Sequence, residues 1–383
     1  MNVLFVTSEV FNKTGGGMLA RAYVETLRKM EGVNAYPFIF PKRGLKEEEN
    51  FDGWIVNEAF SSVQKVFNVF SRTHALIGKK AEEDFVEVIN KYKIDIVFLF
   101  RAVESRFMQI VHERNLNVKV VALYIDIYPD VYKLRKKNLR DFLSHYPIYK
   151  QRLKIQKYCT ENADGTIVLN DREKAAFEKN YGKSPDLILP IISKDLFDEN
   201  RVGVERQNGE KSSNNLELLF MGSYFSPNIN GIKWFVENVM PHVPDNVTLK
   251  IVGNKMEQLR DDALFADSRI EVVGTVDDIT GYYYKADVII APIFEGTGMK
   301  TKTAEALMFG KQMLASEEAL CGYETVSGFL CKDAEEFISK IKQFEEHRPK
   351  KFNKNLRQIY LTQYSENAIA DSLKKLFHSI CTK

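Results

Sequence analysis

This sequence predicts an α/β fold made of two doubly wound parallel sheets, on three observations. Short, continuous apolar runs alternate with helix-like patterns along most of the chain, as strands buried on both faces of a parallel sheet do. At 383 residues the chain exceeds one comfortable hydrophobic core and suits two. Over 190–215 the alternation stops in a polar stretch ending NGEKSSNN, the composition of a linker or surface loop at a domain boundary. The limits that follow are a first domain over 1–192, a linker over 193–215, a second domain over 216–355 and a final helical segment over 356–383.

In the first half the strand-like runs are VLFVT (3–7), AYPFIF (35–40), IDIVFLF (94–100), VKVVALYI (118–125) and GTIVLN (165–170). A helical stripe through Leu19, Tyr23, Leu27 and Met30 separates the first two. The second half repeats the plan with LELLFMG (216–222), a helix over 231–239, TLKIVG (248–253), RIEVVG (269–274), ADVIIAP (286–292), a helix after Thr301 and a short strand over 312–315. Strands that alternate with helices in this way build doubly wound sheets. Near the C-terminus, Ile369, Leu373, Leu376, Phe377 and Ile380 form a helical stripe that must pack on something.

Composition narrows the class. Hydrophobic content of 44% with 28% charged residues is ordinary for a soluble globular protein and excludes a disordered chain. A net charge of +2 argues against a general nucleic-acid binder, although residues 1–190 carry 30 Lys and Arg against 24 Asp and Glu. Much of that excess lies between Lys133 and Lys157, where Asp141 is the only acidic residue and aromatic and aliphatic side chains are interleaved. A solvated helical face is the plain reading and an amphipathic surface meeting anionic lipid the sharper one. Cys159, Cys321, Cys331 and Cys381 form no CxxC pair, so they read as reduced packing residues. The opening MNVLFVTSEVF reads as a first strand, and a cytoplasmic location is expected, with the inner face of the plasma membrane as a peripheral site.

The stretch over 292–310, PIFEGTGMKTKTAEALMFG, carries the most chemistry. Its glycine turn leads from a strand into a helix expected over 303–309, so the backbone N–H groups of Gly298, Met299, Lys300 and Thr301 point outward at a helix N-terminus, an anion site. Lys300 and Lys302 add positive charge, and Glu305, about one turn inside, can accept hydrogen bonds from vicinal hydroxyls such as a ribose. Together these groups suit a nucleoside diphosphate. The plainer alternative has solvated lysines and a glutamate that favours a helix start. Gly222, Gly253, Gly274 and the glycines over 296–298 should converge at the carboxyl ends of their strands, where such sheets bind ligands.

The first half is less specific. Thr14, Gly15, Gly16 and Gly17 precede a helix and read either as a loop that closes over donor phosphate or acceptor, or as a plain turn at a helix start. A nicotinamide fingerprint fits poorly, because the glycines lie seven or more residues past the strand and no acidic residue ends the next one. Asp126 and Asp130 border the expected crevice or simply make turns beside prolines. Arg101 would face the crevice, with an acceptor anion or a structural carboxylate as its partner. None of the six histidines joins a Ser or Cys motif, so no hydrolase triad is visible.

The runs LLFMGSYFSPNINGIKWF, LKIVG and VVGTVDDITGYYYKADVIIAPIFEGTGMKTKTAEALMFGKQMLAS together resemble the donor-binding half of the GT-B glycosyltransferases, in particular the retaining family 4 branch of bacterial cell-surface polysaccharide and mannosyl transferases. The likeness covers nearly the whole chain. It implies a UDP-, GDP- or ADP-sugar donor held in a cleft between the domains, with no metal or other cofactor and a glycan or lipid-linked acceptor. The backbone around Gly274 to Val276 would then contact the base, Glu305 the ribose, and the turn of Gly298, Met299, Lys300, Thr301 and Lys302 with Ser223 and Gly253 the diphosphate. Glu295 would face the donor sugar, Asp126 would act with it at the reacting centre, and Gly16 and Gly17 would border the donor. The last helix would cross back onto the first domain.

Three features depart from the family pattern. Ser223 and Asn230 stand where an Arg and a Lys are common, Glu295 and Glu305 have nine residues between them instead of seven, and Ile125 replaces the histidine that usually precedes the aspartate at 126. The expected activity is metal-independent transfer of a sugar, with retention, to a hydroxyl. A nucleotide-sugar-binding protein without turnover and a sugar-nucleotide epimerase are the alternatives, and turnover separates the three.

Overall fold

The computed structural model of the chain describes residues 1–11, 15–40, 51–56, 77–127, 139–202 and 215–382, without the side chains of 139–145. Thr14, Asp130 and the part of the basic stretch over 133–138 lie outside the described residues. The chain forms two compact units, Met1–Ile192 together with Glu366–Lys383, and Ser193–Ser365.

In the first unit β1 (Asn2–Thr7), β2 (Asn34–Ile39), β3 (Trp54–Ile55), β4 (Ile96–Leu99), β5 (Lys119–Tyr124), β6 (Gly165–Val168) and β7 (Leu187–Ile188) make one parallel sheet in the order β3-β2-β1-β4-β5-β6-β7. Helices α1 (Gly15–Lys29), α2 (Lys79–Tyr92), α3 (Arg106–Glu113), α4 (Leu139–Asn162) and α5 (Asp171–Tyr181) accompany it. The two edge strands have two residues each, too few for a periodic signal. Pro37 fits inside β2 for the same reason. The N–H groups of Asn34 and Phe40 go to β1, so by alternation position 37 faces β3, which pairs only from Phe38 onward and needs no donor there.

The core of this unit is aromatic. Phe5 lies 5.5 Å from both Phe98 and Phe100, and Tyr23 closes the group. The C-terminal helix, Glu366–Cys381, belongs to this unit, and all five residues of its apolar stripe are buried. Phe377 meets Phe98 edge-on at 6.2 Å. Ile380 packs against Gly165, where a Cβ would fall 2.5 Å from its Cδ1. An ion pair between Lys29 and Glu366 ties the helix start to α1. Within α4, Lys150, Lys154 and Lys157 are exposed while Ile155 and Gln156 are buried. Among the described residues no helix is long and apolar enough to cross a membrane.

The second unit holds β8 (Leu216–Met221), β9 (Val247–Val252), β10 (Ile270–Gly274), β11 (Val288–Ala291) and β12 (Gln312–Ala315), all parallel in the order β10-β9-β8-β11-β12. Its helices are α6 (Ser226–Asn238), α7 (Thr280–Lys285), α8 (Thr301–Met308), α9 (Ala334–Glu346) and α10 (Lys354–Gln363). Strand order reverses between β1 and β4 in the first unit and between β8 and β11 in the second. The loops leaving those strands at their carboxyl ends border the crevice where open α/β sheets take ligands.

Truncating Phe377 to Ala should destabilise the first unit by about 3–5 kcal/mol, the cost of an aromatic-sized core deletion. Urea unfolding reads this as a lowered midpoint, and an unmoved midpoint would show that the C-terminal helix adds little to that core.

Candidate functional site

At the order reversal of the second unit, the loops after β8 and β11 are pressed together. A Cβ on Gly231 of α6 would fall 1.9 Å from the carbonyl oxygen of Pro292, so only glycine lets the helix approach the end of β11. In the first turn of α6 the Asn228 side chain donates through Nδ2 to the Ser223 carbonyl at 2.9 Å. Its Oδ1 accepts from Lys302 Nζ at 2.7 Å. Lys302 is 6% exposed, and its Nζ lies 4.5 Å from the centre of the Phe220 ring. An ammonium has three donors, and Asn228 Oδ1 is its one hydrogen-bond acceptor among the described residues. Burial pulls the Lys302 pKa down to about 7, opposed by Glu305 and assisted by the positive charge of Lys300.

The two lysines of the turn have different duties. Lys300 Nζ donates to the carbonyls of Thr297 at 3.3 Å and Gly298 at 2.9 Å, and pairs with Glu318 at 2.7 Å. Its three donors are thereby used within the unit, holding the turn that Gly296 (φ +144°) and Gly298 (φ +64°) make in the left-handed region. Helix α8 begins at Thr301, two residues earlier than expected, with no side-chain cap. The N–H groups of Thr301 and Lys302 make no hydrogen bond among the described residues. Met299 is buried over Gly322, where a Cβ would collide with its side chain.

Glu305, one turn into α8, is 5% exposed. Its Oε2 accepts from the Tyr283 hydroxyl at 2.5 Å, and its other oxygen has no hydrogen bond among the described residues. Burial raises the Glu305 pKa, while Tyr283 and Lys302 work against the rise. Tyr283, itself buried, lies flat on Phe309 at 4.7 Å and so fixes the carboxylate it donates to.

Around this centre, Gly253 (φ +138°) must be glycine because a Cβ would sit 2.0 Å from the Gly222 carbonyl oxygen. Past Gly274 (φ +85°), Glu257 accepts from the Thr275 N–H and hydroxyl, each at 3.0 Å, and Val276 follows half-buried. Glu295 accepts from Asn230 Nδ2 at 3.1 Å, so the two residues that depart from the family pattern there are partners. Among the described residues no three His, Cys, Asp or Glu side chains gather as a metal site requires.

In the first unit Asp126 lies after β5 with its carboxylate 3.6 Å from Arg101, which follows β4. Arg101 also donates to Glu9, after β1, at 2.8 Å. A structural carboxylate is thus a partner of Arg101. Burial works against the charge of Arg101, but Asp126 and Glu9 outweigh it and raise its pKa. Gln156 Nε2 donates to the Asp126 carbonyl at 2.6 Å. Gly16 and Gly17 lie in the first turn of α1, with Gly17 buried. The position that sequence reasoning missed is Asn228, whose place in the first turn of a helix after a strand was its only signal.

Residues 215–347 match the family model of glycosyl transferases group 1. No curated protein matches the chain by sequence. Solved structures match its fold over 98–100% of the chain. Sucrose-phosphate synthase from Thermosynechococcus elongatus superposes with a TM-score of 0.76 at 16% identity, covering 100% of this chain and 99% of that one. HepE from Anabaena in complex with UDP gives 0.68 at 14%, covering 99% and 100%. A glycosyltransferase from Rickettsia africae gives 0.67 at 17%, covering 99% and 98%. The two parallel-sheet α/β units therefore form a GT-B fold, and the second contains a group 1 glycosyltransferase domain.

Lys302 is more easily charged when unfolded, where its pKa is near 10.5, than when folded. Its burial therefore destabilises the ligand-free protein most below pH 7, and the penalty fades as pH rises toward 10.5. Lys302→Met should raise the melting temperature at pH 7 by a few degrees, corresponding to ~1 kcal/mol or more from removing a poorly paired buried charge. The advantage should shrink toward pH 10. An equal or lower melting temperature at pH 7 would contradict the assignment of Lys302 as an under-satisfied ammonium.

Proposed function

We propose that this protein is a glycosyltransferase whose second unit holds a nucleoside diphosphate sugar and which passes the sugar to a hydroxyl of a glycan or lipid-linked acceptor. The observation that carries this reading is the buried Lys302 ammonium beside the uncapped N-terminus of α8. Among the described residues, two of its donors and the N–H groups of Thr301 and Lys302 have no hydrogen-bond partner, and a diphosphate supplies the acceptors and the charge they require. The free oxygen of Glu305 suits a ribose hydroxyl. Backbone groups from Gly274 to Val276 would take the base, Ser223 would add to the diphosphate contacts and Glu295 would face the sugar.

The matched domain supports this, and so do neighbours that were solved with nucleotide: HepE with UDP-glucose and trehalose-6-phosphate synthase with UDP-2-fluoro glucose. As the sugar leaves, negative charge grows on the diphosphate, and Lys302 with the helix N-terminus would stabilise it without a metal ion. Catalysis is then chiefly placement and charge stabilisation, with Asp126 on the acceptor side. Retention, membership of family 4 and a role in cell-surface polysaccharide synthesis rest on the sequence resemblance, strongest over 218–316. Binding without turnover is the second reading. It is favoured by the Asn230–Glu295 pair, which occupies a place where the family commonly has a basic residue.

If the reading holds, UDP, GDP or ADP raises the melting temperature, since a ligand at 100 times its Kd stabilises by about 2.7 kcal/mol. Glu305→Ala should weaken that nucleotide by ~1.5–3 kcal/mol, the range for a hydrogen bond to a charged group. No stabilisation by any of the three nucleotides would sink the proposal. Nucleotide binding with no consumption of donor under any acceptor mixture would leave the binding-protein reading.

The exposed face of Lys150, Lys154 and Lys157 on α4 supports docking to an anionic membrane that presents the acceptor. Each basic residue near such a surface is worth ~1 kcal/mol, and the attraction is screened by salt. Reversing all three to Glu should abolish low-salt sedimentation with phosphatidylserine vesicles. Equal sedimentation of parent and variant would assign this face to solvent.

A further inference from the structure

We propose that Asn228 is a positioning residue for diphosphate recognition, and that through its contact with Lys302 the binding of a nucleoside diphosphate takes up a proton from solvent. The inference rests on the donor site proposed above and adds a second residue and a pH dependence to it.

The geometry of Asn228 is fixed from both ends. Its Nδ2 is committed to the Ser223 carbonyl at 2.9 Å, which sets the orientation of the amide and turns Oδ1 toward Lys302 Nζ at 2.7 Å. A Cβ on Gly222 would lie only 3.1 Å from the Asn228 Cγ, so glycine at that position leaves the amide its room. The long Lys302 side chain is thereby held in one place on Phe220, at the mouth of α8. Without Asn228 nothing among the described residues would hold Nζ by a hydrogen bond.

The residue type matters as much as the position. An aspartate at 228 would form an internal ion pair and neutralise Lys302 before any ligand arrived. An amide orients the ammonium and leaves its charge to the ligand. Among the described residues the titratable groups around Lys302 are few. Lys300 and Glu305 lie on its own helix and cap and push in opposite directions, Tyr283 of α7 stands behind Glu305, and Glu318 and Tyr323 engage Lys300 through its ammonium and its carbonyl. Phe220 of β8 and Asn228 of α6 are uncharged. In the free protein burial leaves Lys302 partly deprotonated near pH 7. A diphosphate placed against Nζ favours the ammonium, so above that pH one proton moves from solvent to Nζ as the ligand binds and no other bond changes.

The test uses full-length protein, the nucleotide among UDP, GDP and ADP that stabilises it, and the matching nucleoside as a control. A terminal phosphate with a pKa of roughly 6 is fully ionised above pH 7.5, so it contributes no protons there. Calorimetric titration at pH 8 in two buffers of different ionisation heat should show uptake of up to one proton, and affinity should fall by up to about tenfold per pH unit between pH 7.5 and 9. Nucleoside affinity should stay flat over the same range.

Asn228→Ala should weaken nucleoside diphosphate at least about tenfold, the loss of one charge-assisted hydrogen bond's worth of placement, and leave nucleoside unchanged. Asn228→Asp should abolish proton uptake between pH 7 and 9, because an ion-paired Lys302 keeps its proton. Lys302→Arg, which stays charged throughout, should do the same and serves as the check if the Asn228 variants fold poorly. A pH-independent parent with no proton uptake, or an Asn228→Ala protein that binds like the parent, overturns this inference and leaves the donor site standing. No binding of UDP, GDP or ADP at any pH from 6 to 9 overturns both.

Discussion

Lys302 places an ammonium almost wholly out of water with, among the described residues, a single hydrogen bond to hold it, and the loops after β8 and β11 are arranged around that constraint. Burying a charge carries an effective penalty of several kcal/mol even after local relaxation. The fold offsets part of it with Asn228 Oδ1, with the face of Phe220 and with the nearby carboxylate of Glu305. Each of those groups is itself fixed: Asn228 by Ser223, Glu305 by Tyr283, and Tyr283 by stacking on Phe309. The compensation is incomplete, and the anion site proposed above rests on that incompletely compensated cation beside an uncapped helix N-terminus.

The two units show how one topology yields two electrostatic outcomes. Both sheets reverse strand order, and both place a cation in the loops at that reversal. In the first unit Arg101 is met by Glu9 and Asp126, so its charge is consumed within the unit. Such a cluster positions side chains and offers little net attraction for a phosphate. In the second unit the two lysines divide: Lys300 spends its three donors on Thr297, Gly298 and Glu318 and stiffens the turn, while Lys302 has Asn228 Oδ1 as its one acceptor among the described residues.

Much of the fold was legible because buried parallel strands leave runs of apolar residues that need no partner to be recognised. The runs beginning near Val3, Ile94, Leu216 and Val288 all became central strands, and the stripe from Ile369 to Ile380 became a buried helix face. The edge strands at Trp54 and Leu187 were not legible, since two residues carry no period. Within the site, Glu305 and the glycine turn could be read from local order, because a helix start fixes where N–H groups point. What separates Lys300 from Lys302 could not. They are two residues apart in a single turn, and their fates are decided by Glu318 on one side and by Asn228, 74 residues earlier, on the other. Tyr283, which fixes Glu305, is likewise brought in only by the packing of α7.

A crystal structure of the protein with the nucleoside diphosphate that stabilises it tests the central claim most directly. The account predicts a diphosphate oxygen within about 3 Å of Lys302 Nζ and of the N–H groups of Thr301 or Lys302, normal distances for such hydrogen bonds, with Lys300 still on Glu318. A diphosphate bound elsewhere, with Lys302 still held by Asn228 alone, would contradict it.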